Sequence, residues 1–152
     1  MFAEVMEWEA KGDGLRRAKR FDEAVEAYRR ALRHCFQWTR SGDGARACSE
    51  IREKIWAVQL EQFDALMQLP DAGAPVGADI VEWNSAMRWA KGQQEEADRL
   101  VQAAIARGSR SSGEFLDRLA ARWLDRDPEG SLRLTDWARR LRGESNAAAV
   151  GA

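Results

Sequence analysis

The chain is poor in the residues that usually carry catalysis, metal binding or a disulfide scaffold. Its 152 residues include a single histidine (His34), two cysteines (Cys35 and Cys48) and one tyrosine. Two cysteines are too few for a disulfide framework in a chain of this size. Glycine-rich phosphate loops, His-Glu-x-x-His and Cys-x-x-Cys patterns are also missing from the sequence. We therefore predict no enzyme, no catalytic residue, no metal site and no cofactor.

The sequence also lacks a strong charge of one sign and a membrane segment. Lysine and arginine total 24 against 25 acidic residues, a net charge of -1, which argues against a protein that coats nucleic acid or anionic membrane. No apolar run approaches the ~20 residues that span a bilayer, and Met1 to Ala10 carries no basic cluster of the signal-peptide kind. We expect a cytoplasmic protein without membrane insertion. The preference for arginine over lysine is typical of a high-GC, bacterial genome.

Strand signals are scarce, since the chain has only two threonines and no stretch that alternates apolar and polar residues for six positions. It also has only three prolines. Strong helix formers such as alanine, leucine, glutamate and arginine dominate. The sequence predicts an all-α protein, an antiparallel bundle of about seven helices whose hairpins form a short solenoid. The segment from Pro70 to Gly77, with two prolines and two glycines, is the one clear linker. The predicted divisions are a three-helix bundle (1–69), a linker (70–78), a four-helix extension (79–143) and a mobile tail (144–152).

The second and third predicted helices carry the clearest apolar patterns. The second opens with Asp22 as its cap and has a buried stripe with the spacing i, i+4, i+7. The third, from Ala45 to Leu69, has two adjacent apolar rows, so we expect it to be the central helix. The stripe of the second helix comprises Ala24, Tyr28, Ala31, Cys35 and Trp38, widened by Val25, Leu32 and Phe36.

In the second half, three helix starts are signalled by caps. Asp79 has Glu82 three residues later, Ser111 has Glu114, and Asp127 is followed by Pro128. Seven tryptophans occur, most of them on apolar stripes. Trp83 and Trp89 point in different directions from one helix, so we expect at least one of them at the surface or at an interface.

Residues 18–32 and 91–105 align without gaps, which is the pattern of a repeated helical hairpin, although chance similarity between two alanine-rich helices gives the same pattern. The first hairpin resembles a tetratricopeptide repeat, a resemblance from which Lys11 and Phe36 depart. The second hairpin keeps only Gly92, Ala97 and Ala104 of that pattern. The resemblance is carried by Trp8, Gly12, Leu15, Phe21, Ala24, Tyr28 and Ala31.

Residues 18–69 resemble a microtubule-interacting-and-trafficking (MIT) domain more closely. The segment Ala-Lys-Arg-Phe-Asp-Glu-Ala-Val-Glu-Ala-Tyr-Arg-Arg-Ala-Leu, followed after a loop by Ser-Glu-Ile-Arg-Glu-Lys, carries this likeness. It implies a three-helix bundle that binds short peptide helices in grooves beside its third helix. The stretch 59–65 departs from the family, so the likeness implies the architecture but not the specificity.

We therefore predict a non-enzymatic adaptor, chaperone or scaffold, part of a hetero-complex, which binds a helix or peptide of another protein in a groove between its second and third helices. Flanking arginines would favour acidic partners. The residues predicted to line the groove are Arg29, Arg33, Arg52, Trp56 and Gln59.

Two alternatives stay open at this point. An arginine-rich face could contact RNA or DNA backbone inside a larger complex, or it could simply be solvated. His34, Cys35 and Cys48 could form a nucleophile or metal site, but adjacent residues on a helix point about 100° apart, and Cys35 lies on the buried stripe. The arginine-rich face comprises Arg16, Arg17, Arg20, Arg29, Arg30, Arg33 and Arg40.

Overall fold

A computed structural model describes residues 2–38, 42–69, 74–75 and 77–144. Within these ranges the chain is all-α, with no β-strand, as the sequence predicts. Three parts of the predictions lie outside the described residues: Arg40, most of the predicted linker, and residues 145–152 of the predicted tail. The described part contains a 3-10 helix (Phe36–Trp38) and seven α-helices: α1 (Phe2–Arg17), α2 (Phe21–Cys35), α3 (Gly42–Leu66), α4 (Ile80–Ala90), α5 (Gln94–Ala106), α6 (Glu114–Trp123) and α7 (Pro128–Leu141).

The chain divides into two compact units, Met1–Leu66 and Met67–Ala152. The first contains α1 to α3 and the second α4 to α7. The predicted solenoid concerns how such units stack and stays a prediction.

In the first unit, α2 packs closely against both α1 and α3. We expected α3 to be the central helix, but within this unit the central helix is α2. The buried alanines of α2 are small, so other helices can approach it closely on more than one side. Gly12 of α1 lies directly against the buried ring of Tyr28, where a Cβ atom would come within 2.5 Å of Cε1. The core of the unit is formed by Val5, Ala24, Val25, Tyr28, Ala31, Cys35, Cys48, Ile51 and Val58.

The turn between α1 and α2 has Lys19 in the left-handed region, at φ 62°. The N–H of Arg20 bonds to the carbonyl of Leu15 at 2.9 Å, which closes α1 as a Schellman motif does. The prediction that Asp22 caps α2 is wrong, because α2 begins one residue earlier and no side chain caps it. The carboxylate of Asp22 instead accepts a hydrogen bond from Gln62 of α3 at 2.9 Å.

The second unit consists of two helical hairpins, α4–α5 and α6–α7, with α6 against α4 and α7 against α5. The rings of Trp83 and Phe115 stack at 5.3 Å between α4 and α6. Trp137 of α7 donates a hydrogen bond to Asp98 of α5 at 3.1 Å. Trp89 is also buried, so the expectation that Trp83 or Trp89 would be exposed is wrong. Both sides of α4 therefore pack against other helices of this four-helix unit.

The predicted caps of α4 and α7 are confirmed. Asp79 accepts the N–H of Glu82 at 2.9 Å, and Asp127 accepts the N–H of Gly130 at the same distance. The predicted Ser111 cap of α6 is wrong, because the capping position is Gly113, in the left-handed region at φ 72°. No helix among the described residues is long and apolar enough to cross a membrane.

Candidate functional site

The face between α2 and α3 carries most of the predicted binding residues. On α3, Arg52, Trp56 and Gln59 follow one another at helical spacing, i, i+4 and i+7, so they share a side of the helix. Arg52 is exposed, Trp56 is partly buried, and Gln59 is only 7% exposed. On α2, Arg29 is partly buried.

Phe36 connects the two helices on this face. The guanidinium of Arg52 lies 5.3 Å from the centroid of the Phe36 ring, a cation–π arrangement. The Phe36 side chain is nevertheless 48% exposed. We use the name α2–α3 face for Phe36, Arg52, Trp56 and Gln59, together with Arg29, the predicted groove residue of α2. It combines two aromatic rings with two guanidinium groups.

Phe36 and Trp38 are the residues that sequence reasoning missed. Their spacing predicts the buried stripe of a continuous α-helix, but α2 ends at Cys35 and the backbone tightens into a 3-10 helix over Phe36–Trp38. A 3-10 helix has three residues per turn, so it rotates the side chains away from the stripe of the preceding α-helix. Both side chains are exposed as a result, Trp38 to 37%.

Arg33 lies apart from the other predicted groove residues. It borders a cleft of about 370 Å³ on the outer side of α1 and α2, together with Trp8, Arg30, His34 and Gln37. Its guanidinium is 3.3 Å from Glu26, which also holds Arg30. Three of the five predicted residues, Arg52, Trp56 and Gln59, thus share one side of α3, whereas Arg33 borders the cleft beside Trp8.

The side of α3 that faces α1 is occupied by ion pairs. Lys54 contacts Glu9 and Asp13, each at 3.1 Å, and the hydroxyl of Tyr28 donates to Asp13 at 2.5 Å. Burial acts against the charge of Asp13, but the hydrogen bonds from Tyr28 and Lys54 prevail and hold its pKa below the usual value. Burial and the bond to Asp13 raise the pKa of Tyr28. This network of ion pairs and hydrogen bonds joins α1 to α3.

Most described arginines of the predicted basic face already have carboxylate partners. Arg16 of α1 pairs with Glu61 of α3, and Arg20 pairs with Glu23. Arg30 and Arg33 share Glu26. Arg17 borders a cleft that also contains Asp13 and Glu61. These carboxylates reduce the net positive charge that the face offers to a phosphate backbone.

His34 and the two cysteines do not converge on one point. His34 Nδ1 is 3.1 Å from the carboxylate of Glu4 on α1. Cys35 and Cys48 are both buried in the core of the first unit, as free thiols. Among the described residues, no three or more His, Cys, Asp or Glu side chains are grouped so that they could hold a metal ion.

No protein-family model, curated protein or solved structure matches this chain.

Proposed function

We propose that this protein acts by binding, as an adaptor, chaperone or scaffold, and that it receives an amphipathic helix of another protein on the α2–α3 face. The observation that carries the proposal is Phe36, whose ring is half-exposed beneath the guanidinium of Arg52. Apolar rings at a surface beside arginine are the residue types that dominate the binding energy of protein interfaces.

The chemistry of the face defines the partner. A helix laid in a groove contacts it through apolar residues at i, i+3 or i+4 and i+7. On this face those residues would pack against Phe36 and Trp56, and acidic residues on the flanks of the partner would meet Arg29 and Arg52. The resemblance of residues 18–69 to an MIT domain supports the same mode, because it implies a peptide helix bound beside the third helix.

The proposal is tested by selecting from a displayed library of amphipathic helical peptides in which the polar positions carry either acidic or basic residues. We expect the selected peptides to be acidic. Arg52→Glu and Trp56→Ala should each weaken their binding by at least about tenfold, since such substitutions remove a central contact. A peptide with lysine in place of its acidic residue should recover binding to Arg52→Glu.

Arg99→Glu is the matched control, because Arg99 is an exposed arginine of α5 in the other unit and pairs with the exposed Glu95. It should change binding less than about twofold, with circular dichroism used to verify that every variant is folded. The proposal would be refuted if the selected peptides bound both Arg52→Glu and Trp56→Ala with the same affinity as the wild type. Binding to single-stranded RNA or duplex DNA with a steep salt dependence would favour the nucleic-acid alternative instead.

A further inference from the structure

Two thiols meet where α2 ends and α3 begins. Cys35 is the last residue of α2, and its Sγ donates a hydrogen bond to the carbonyl of Gly44 at 3.4 Å. Cys48 follows Gly44 by one helical turn, on the same side of α3. The Cys48 thiol is near enough to act electrostatically on the Cys35 thiol. Both side chains belong to the same core cluster of the first unit, so the two thiols lie near each other.

We propose that Cys35 and Cys48 are an oxidative modification site and form a reversible intramolecular disulfide. Cysteines can be bridged without large backbone movement when their Cβ atoms lie about 3.5–4.5 Å apart. Disulfides that form under otherwise reducing conditions are usually transient or redox-sensing rather than structural. The proposal is independent of the peptide-binding function.

The reaction balances with a low-molecular-weight disulfide as the oxidant. One cysteine thiolate attacks a sulfur of the small disulfide, which forms a mixed disulfide and releases one small thiol. The second cysteine thiolate then attacks the protein sulfur of the mixed disulfide and releases the second small thiol. The protein loses two electrons and two protons, and the small disulfide gains them as two thiols.

The environment of the pair slows its oxidation. Burial, followed by the influence of the nearby Cys48 thiol, raises the pKa of Cys35 to about 12. A thiol with so high a pKa is seldom a thiolate near neutral pH, so any attack by Cys35 is slow. Because both thiols are buried, 0% and 3% exposed, the first step needs a local opening of the helix ends. We therefore expect slow oxidation.

The bond would close a loop around the exposed aromatic side chains. Phe36 and Trp38 lie in the chain between Cys35 and Cys48. A disulfide restricts the unfolded chain and so raises the thermal midpoint of the fold. Oxidation would therefore stabilise the segment that carries these rings.

The experiment uses the full-length protein, folded in native buffer and incubated without oxygen in mixtures of oxidised and reduced glutathione. After an acid quench, mass spectrometry with thiol alkylation counts free thiols. We expect a species that has lost two hydrogen atoms and accepts no alkylating group, with a thermal midpoint raised by about 5 °C or more. Dithiothreitol should return it to the reduced form. Cys35→Ser and Cys48→Ser should each prevent the loss of two hydrogen atoms.

A parallel incubation in urea keeps the test decisive even if a serine variant fails to fold. Formation of the intramolecular disulfide only in urea, with both thiols still free in the native protein, would overturn the proposal. A stable mixed disulfide with glutathione as the end product would overturn it as well.

Discussion

Glu82 of α4 accepts a hydrogen bond from the backbone N–H of Leu116, in the first turn of α6, at 3.3 Å. The same carboxylate accepts the N–H of Gly113, also at 3.3 Å. Gly113 occupies the capping position of α6 and has no side chain to fill that role. A Cβ atom there would lie 2.8 Å from the carbonyl oxygen of Ala138. A residue of another helix therefore satisfies donors that α6 cannot satisfy itself.

Glu82→Ala tests this capping role. The substitution leaves buried N–H groups of α6 without an acceptor, which typically costs 1–3 kcal/mol, and we expect a loss of about 2 kcal/mol in the free energy of unfolding. Urea denaturation measures it. Glu95→Ala is the control, a first-turn glutamate of α5 whose side chain is 91% exposed, and it should change stability by less than about 0.5 kcal/mol. Equal effects of the two substitutions would contradict the capping role.

Glu82 also makes stability depend on pH. Burial and the charge of Asp79 raise its pKa above the usual 4.5, although hydrogen bonds from Leu116 and Gly113 oppose the change. A carboxyl group whose pKa is raised by folding contributes stability that is fully present below the unfolded-state pKa and lost as the pH rises through the folded-state pKa.

We therefore expect the stability of the wild type, relative to Glu82→Gln, to fall as the pH rises from 4.5 towards neutrality. Urea denaturation of both proteins at a series of pH values measures this difference, in which the other titrating groups cancel. A difference that stays flat, or that grows with rising pH, would show that the pKa of Glu82 is not raised.

Local signals predicted the helices and two of their caps, because helix formation depends on nearby residues. Asp79 and Asp127 accept N–H groups within their own helices, as predicted. The pattern around Glu82 indicated a capping box, in which its side chain would turn back to its own helix. Instead it bonds to α6, far along the chain. Which backbone groups Glu82 bonds to depends on how the helices pack, and local spacing does not contain this information.

The candidate site shows the same division. Helical spacing correctly placed Arg52, Trp56 and Gln59 on one side of α3. It failed at Phe36 and Trp38, because an α-helical period was extended through a segment that is a 3-10 helix. It also placed Arg33 with the α2–α3 face, whereas Arg33 pairs with Glu26 and borders the cleft beside Trp8. On a narrow helix face, one residue's rotation decides which neighbour a side chain meets.

Lys19→Gly should stabilise the first unit. Lys19 adopts φ 62°, a conformation that is unfavourable by roughly 1–2 kcal/mol for a residue with a Cβ atom. Glycine removes this strain but gives the unfolded chain more freedom, so we expect a net gain of about 0.5–1 kcal/mol in the free energy of unfolding. Lys19→Ala loses the same charge but keeps the Cβ atom, and it should give no gain. A gain of equal size in both variants would assign the effect to the charge of Lys19.

Gly12→Ala and Gly14→Ala should shift stability in opposite directions, although both replace a glycine within α1. At position 12 the new Cβ atom would lie 2.5 Å from Cε1 of Tyr28. That ring cannot move aside easily, because it is buried and its hydroxyl is bonded to Asp13. Overpacking of this kind typically costs 1–3 kcal/mol, and we expect about 2 kcal/mol.

At position 14 the new Cβ atom would meet only the end of the Arg17 side chain, at 3.8 Å. Alanine should therefore gain up to about 1 kcal/mol there from its higher helix propensity. Urea denaturation of the two variants beside the wild type measures both changes. If Gly12→Ala were as stable as Gly14→Ala, the close packing of α1 on Tyr28 would be refuted, because helix propensity acts in the same direction at both positions.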